Sequence, residues 1–99
     1  MQFDAHATAR KTRLLLLDCQ SDLHRHLDTR LVVPLAPISS DLPAASRLHP
    51  IFDVEGERWI MLTTQATTVA TRDLGPIKAR LQSESFTITG AIDVLLTGI

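Results

Sequence analysis

The strongest constraint on the fold lies in the middle of the chain. Ile51-Phe52-Asp53-Val54 and Arg58-Trp59-Ile60-Met61-Leu62-Thr63-Thr64 are rich in β-branched and aromatic residues, and only Glu55-Gly56-Glu57 separates them. Two such runs joined by a short stretch containing glycine define a β-hairpin, and a chain with a hairpin at its centre must build a sheet around it. Upstream, Ala5, Ala7 and Ala9 alternate with His6, Thr8 and Arg10, which predicts a strand near the N-terminus. A basic turn at Arg10-Lys11-Thr12-Arg13 leads into Leu14–Cys19, too short and too apolar for anything but a buried strand, so the two form an opening hairpin. Residues 20–30 are polar and read as an exposed connection. Leu31-Val32-Val33-Pro34-Leu35 is the third strand, with Pro34 expected at a strand end, an edge or a bulge because it cannot donate to a ladder. Pro37, Pro43 and Pro50 with Ser39-Ser40-Asp41 break regular structure, leaving a long loop or a short helical turn near Ala44–Leu48.

Thr67–Leu74 adds a further strand, stopped by Gly75-Pro76. The period then changes. Ile88, Ile92, Leu95 and Leu96 recur at helical spacing behind Phe86, and Ser83 or Ser85 can cap the segment. Gly90 costs that helix about 1 kcal/mol relative to alanine, so close packing or tertiary contacts must compensate. Five or six short strands followed by one helix describe a mostly β (α+β) domain: a small antiparallel barrel with a C-terminal helix. At 99 residues and 44% hydrophobic, residues 1–99 make one domain that can bury a core without disulfides or metal.

Charge and composition narrow the function classes. Ten Lys and Arg against eleven Asp and Glu leave a net charge of -1, which disfavours a ligand held mainly through phosphates. Four aromatic residues (Phe3, Phe52, Trp59, Phe86) are too few for a base-stacking platform. A single cysteine, Cys19, forms neither an internal disulfide nor a thiolate metal cluster, and its place in an apolar strand predicts an inert, buried thiol. The chain shows no signal-peptide pattern and no membrane span, so a cytoplasmic protein is expected.

Few residues carry candidate chemistry. Asp22, His24, His26 and Asp28 alternate in the exposed connection, which would suit a metal only if that stretch were extended; a solvated loop is the simpler reading, with no metal and no cofactor. Phosphate-cradling and nucleophile-elbow glycine patterns are absent. Arg10, Lys11 and Arg13 form the one tight basic cluster, either a solvated turn or a docking point for an acidic partner or RNA. Trp59 reads as core.

The order of motifs is more informative than any one of them. Met1-Gln2-Phe3, Asp18-Cys19-Gln20-Ser21-Asp22, Val32-Val33-Pro34-Leu35-Ala36, Leu48-His49-Pro50, Trp59-Ile60-Met61-Leu62-Thr63-Thr64 and the terminal Gly98-Ile99 together resemble the CcdB family along the whole chain. The resemblance implies an SH3-like barrel with a C-terminal helix, shared with the MazF toxins, forming a two-fold homodimer without catalytic activity. It implies the toxin of a toxin–antitoxin pair, which inserts between the GyrA arms of DNA gyrase and traps the cleaved-DNA complex. It also implies a CcdA-like antitoxin that wraps the toxin and brings it to operator DNA for repression.

Carried over residue by residue, Gly98 and Ile99 match the end of the family's target-binding motif and Leu23 matches an apolar loop residue on the same surface, whereas His24 does not match. Thr97 departs from it, standing where the family has a tryptophan that stacks on a gyrase arginine. Asp93 stands where the family has an uncharged polar residue. Arg10, Lys11 and Arg13 are the candidate antitoxin contacts. Three readings follow: a gyrase poison weakened at Thr97, a dimer that binds antitoxin and regulates its operon without poisoning gyrase, and a MazF-like endoribonuclease using Arg10, Lys11 and Arg13 with Asp18 or Asp22.

Overall fold

The computed structural model describes residues 1–8 and 12–99. Seven strands form one antiparallel sheet: β1 (Asp4–Thr8), β2 (Leu15–Asp18), β3 (Thr29–Pro37), β4 (Ile51–Val54), β5 (Glu57–Met61), β6 (Thr67–Ala70) and β7 (Leu74–Arg80), followed by the helix α1 (Ser85–Thr97). The spatial order is β4-β5-β3-β2-β1-β7, with β6 also paired to β3. This curled sheet with one C-terminal helix is the mostly β architecture expected from the sequence.

The nine-residue strand β3 is the spine. Residues 29–32 pair with β6 and residues 35–37 with β5, so the partner changes at Val33-Pro34. Pro34 is therefore neither at an end nor at an edge; it is buried in mid-strand. A strand residue points its N–H and C=O the same way. The Pro34 carbonyl accepts from Leu62 N (2.9 Å), which puts the missing donor at that changeover and leaves the pairing with β2 intact.

The β4–β5 hairpin turns through Glu55-Gly56, between the paired Val54 and Glu57. Both turn residues have positive φ (52° and 81°), the pattern of a type I′ turn, whose twist suits the flanking strands. Glycine takes this freely; Glu55 does so at a conformational cost. Phe3 also has positive φ (68°). Its ring is buried in the core, its N–H donates to the Asp18 carbonyl and its carbonyl accepts from Leu81 N, so packing and two backbone bonds hold the strained residue.

Gly75-Pro76 does not stop the last strand. β7 runs through it and pairs with β1 at the sheet's edge, with His6 opposite Ile77 and Thr8 opposite Leu74. Three steps on β7 thus face two on β1, a bulge that contains both the glycine and the proline. A Cβ on Gly75 would lie 2.6 Å from the Ala7 carbonyl oxygen, so close backbone approach is what requires glycine there. Residues 71–73 form a 3-10 turn between β6 and β7, which accounts for the end of the expected 67–74 strand at Ala70.

One face of the sheet closes over α1. Ala5, Leu17, Val33, Leu35, Phe52, Trp59, Met61 and Leu81 pack with Ile88 and Ala91 of the helix. A smaller cluster of Ala36, Ile60 and Leu62 is covered by Leu42 and Ile51. Leu42 pins the long connection 38–50, which has no helical turn at 44–48. The helix cap also differs from expectation: Glu84 occupies the N-cap position without a side-chain bond, and neither Ser83 nor Ser85 caps. Gly90 has nothing within 4 Å of an added Cβ, so it does not serve close packing within this chain.

Candidate functional site

Helix α1 buries Ile88 and Ala91 and leaves its last turn uncovered. Leu95 and Leu96, whose spacing predicted the helix, are exposed, Leu96 at 75%, and Ile99 is exposed at 80%. Exposure rises along the helix: Ile88 and Ala91 are buried, Ile92 and Val94 are half-buried, and Leu96 and Ile99 stand open. Gly98 ends the helix in the left-handed conformation (φ 80°), its N–H returning to the Val94 carbonyl at 2.8 Å. This cap turns Ile99 away from the helical path, and Ile99 N donates to Thr97 Oγ1 (3.3 Å). Thr97 Oγ1 in turn donates to the Asp93 carbonyl (2.7 Å). The tip is thus an apolar end held by its own backbone bonds, with the Thr97 hydroxyl turned inward and the Asp93 carboxylate exposed beside it.

Leu23 lies on a 3-10 turn (Asp22–His24) whose N-cap Ser21 accepts from Leu23 N. It is 83% exposed. Among the described residues no hydrogen bond or ion pair joins it to Thr97, Gly98 or Ile99. Asp22 is drawn off to accept from Gln2 N (2.9 Å), the stretch is not extended, and no three His, Cys, Asp or Glu among the described residues are grouped as ligands.

Of the basic cluster, Arg10 and Lys11 lie outside the described residues. Arg13 is described, and its Nη2 donates to both carboxylate oxygens of Glu57 (3.0 and 2.8 Å). Asp18, its proposed proton-transfer partner, sits at the other end of β2, roughly 16 Å away along an extended chain. Asp18 is also buried. The Arg13–Asp18 pairing a nuclease would use is not assembled.

Sequence reading missed a buried acidic pair. Asp4 and Asp18, both about 1% exposed, converge on the Met1 ammonium at 3.3 and 4.0 Å. Burial pushes the Asp4 carboxyl up, but the Gln82 side-chain bond (2.8 Å), the ammonium and Arg80 (3.4 Å) outweigh it and hold the carboxyl below its ordinary value. For Asp18 burial wins: its carboxyl is raised despite the Gln20 N–H (3.1 Å), Arg30 (4.0 Å) and the ammonium. A charge inside a strand pattern was the available signal. Cys19 is a free, buried thiol, and burial with the adjacent Asp18 charge pushes it up to about 12. It is inert at neutral pH, as its position in the sequence implied.

The α1 tip and the 22–24 turn each leave an apolar side chain open at the surface. Comparison with known proteins fits this geometry: the CcdB family (CcdB protein) matches residues 2–98. This chain belongs to the CcdB family. As a CcdB-family chain it falls among the toxins of toxin–antitoxin pairs, whose members dimerise and are held by an antitoxin. Its fold is similar to that of Mycobacterium tuberculosis toxin MazF-mt6, at 17% identity over 94% of this chain and 95% of that one, with a TM-score of 0.75. A second solved chain, an Mtb toxin, is 16% identical over 89% of this chain and 94% of that one, with a TM-score of 0.71. At these identities the likeness concerns the fold alone. No helix among the described residues is long and apolar enough to cross a membrane.

Proposed function

We propose that this chain is the toxin of a type II toxin–antitoxin pair and acts in the cytoplasm as a non-catalytic, dimeric wedge between the GyrA arms of DNA gyrase. The observation that carries the reading is the uncovered end of α1, where Leu96 and Ile99 are exposed and Gly98 fixes the direction of the last residue. Such a tip, presented twice by a two-fold dimer, has the shape and apolar character of a binding anchor. Leu23 belongs to the same target surface. No cofactor or metal enters the mechanism: the toxin works by occupying the open gate and preventing resealing of cleaved DNA.

Thr97 weakens this contact. A tryptophan there would add a cation–π stack of roughly 0.5–2 kcal/mol per ring, and central tryptophans are often interface hot spots of about 2 kcal/mol or more. Asp93 adds a negative charge at the tip.

A second reading, a dimer that binds antitoxin and represses its operon through it without poisoning gyrase, is favoured by the Thr97 hydroxyl being spent on the Asp93 carbonyl. The nuclease reading has least support, because Asp18 is buried and remote from Arg13.

Induced expression in bacteria with wild-type gyrase tests the reading. Growth arrest with a DNA-damage response is expected. Normal growth at high toxin levels removes gyrase poisoning and leaves the regulatory dimer.

A further inference from the structure

Gln2 and Phe3 bracket two parts of the fold that are distant in sequence. On one side, Gln2 N donates to Asp22 Oδ1 (2.9 Å), Gln2 Nε2 to the Cys19 carbonyl (3.2 Å) and Phe3 N to the Asp18 carbonyl. On the other, the Gln2 carbonyl accepts from Gln82 Nε2 (2.8 Å) and the Phe3 carbonyl from Leu81 N (2.8 Å), where the 3-10 turn Gln82–Glu84 leads into α1. Phe3 serves both sides with a φ of 68°, and a bulky residue kept in that region marks a place where the surroundings over-determine the backbone.

On the first side the bracket grips the turn Asp22–His24, which carries Leu23. That turn buries none of its residues, so apolar packing does not hold it. Hydrogen bonds set its place instead. Gln20 Nε2 donates to the His24 carbonyl (3.1 Å), a bond local to the connection, whereas the Gln2–Asp22 bond reaches across to the base of α1. We propose that Gln2 and Asp22 are positioning residues: they clasp the Leu23 turn to the base of α1, so that Leu23 and the helix tip meet a partner in a fixed relation. The identity of that partner rests on the proposed function; the clasp is a property of this chain alone. An unclasped turn would present Leu23 correctly for only part of the time, and a surface competent for about a tenth of the time binds about tenfold more weakly.

The test compares the full wild-type chain with Asp22→Ala, Asp22→Asn and Gln2→Ala. Asparagine keeps the acceptor oxygen, and Gln2→Ala leaves the sequence of the turn untouched. Amide relaxation reads the turn directly: order parameters for residues 22–24 should fall from about 0.85 to below about 0.6 in Asp22→Ala. They should fall in Gln2→Ala as well and stay near wild type in Asp22→Asn, with sheet residues and the urea midpoint unchanged. Binding to purified GyrA reads the consequence. Asp22→Ala and Leu23→Ala should each weaken it about tenfold, and together still about tenfold rather than about a hundredfold, because both remove the same contact. A turn that stays rigid in Asp22→Ala, or loosens there but not in Gln2→Ala, overturns the proposal, as do additive losses. A lowered urea midpoint with loosening throughout the sheet also overturns it, since the bonds would then serve the fold as a whole. Absence of GyrA binding by the wild type removes the gyrase reading, and the relaxation result then decides the clasp by itself.

Discussion

Replacing Gly75 by alanine tests how the last strand is attached. The new Cβ would lie 2.6 Å from the Ala7 carbonyl oxygen and 3.1 Å from its carbon, so backbone on β1 or β7 must move. The Gly75 carbonyl also accepts from His6 Nδ1 (2.9 Å), a bond between the same two strands that the shift would stretch. Overpacking of this kind costs about 1–3 kcal/mol, and the lost hydrogen bond adds about 1 kcal/mol. The expected destabilisation is about 2–4 kcal/mol, read by urea unfolding at one fixed protein concentration because a dimer's stability depends on it. Gly90→Ala is the matched control. Its Cβ meets nothing, and it sits inside a helix, so it should stabilise by about 0.5–1 kcal/mol. A Gly75→Ala protein within about 0.5 kcal/mol of wild type would refute the bulge as a site of close backbone approach.

The buried carboxylates should respond to substitution with opposite signs. Asp4, lowered in the fold, contributes stability above its unfolded value that is lost as pH falls through its folded value; Asp4→Asn should cost about 1–2 kcal/mol at pH 7. Asp18, raised in the fold, costs stability as pH rises from the ordinary carboxylate value through its folded one, so Asp18→Asn should be neutral or stabilising at pH 7 and flatten that part of the pH–stability curve; a loss above about 1 kcal/mol would contradict it. Cys19 should resist a thiol reagent at pH 8 in the native protein and react at once in urea, and rapid native labelling would show the thiol is not buried. Glu55→Asn, easing a positive φ, should raise the urea midpoint by the equivalent of about 0.5–1 kcal/mol, and an unchanged midpoint would mean the turn holds no strain.

The central hairpin, the buried strand β2 and the helix were legible because each has a local pattern: alternation, a short apolar run, and helical spacing. Strand β7 was not, because Gly75 and Pro76 read as breakers when seen without β1. In the fold the glycine admits the Ala7 carbonyl and the proline sits in an edge-strand bulge. Pro34 misled for the same reason, since only the change of partner along β3 explains a proline in mid-strand. Leu95 and Leu96 carried the right period for the helix, but spacing says nothing about which of its turns the sheet covers. Of the candidate site, Gly98, Ile99 and Leu23 came from the resemblance to the CcdB family. The Asp4–Asp18 pair depends on residues far apart in sequence, and no local pattern reports it.

The most direct measurement is the cleavage assay: pure protein, gyrase, supercoiled plasmid and ATP, with linear DNA scored after detergent and protease. Wild type should yield linear DNA only at high concentration. Thr97→Trp should do so at roughly fivefold to nearly a thousandfold lower concentration, since about 0.5–2 kcal/mol per ring is presented twice by the dimer. No linear DNA with either protein would contradict the wedge mechanism.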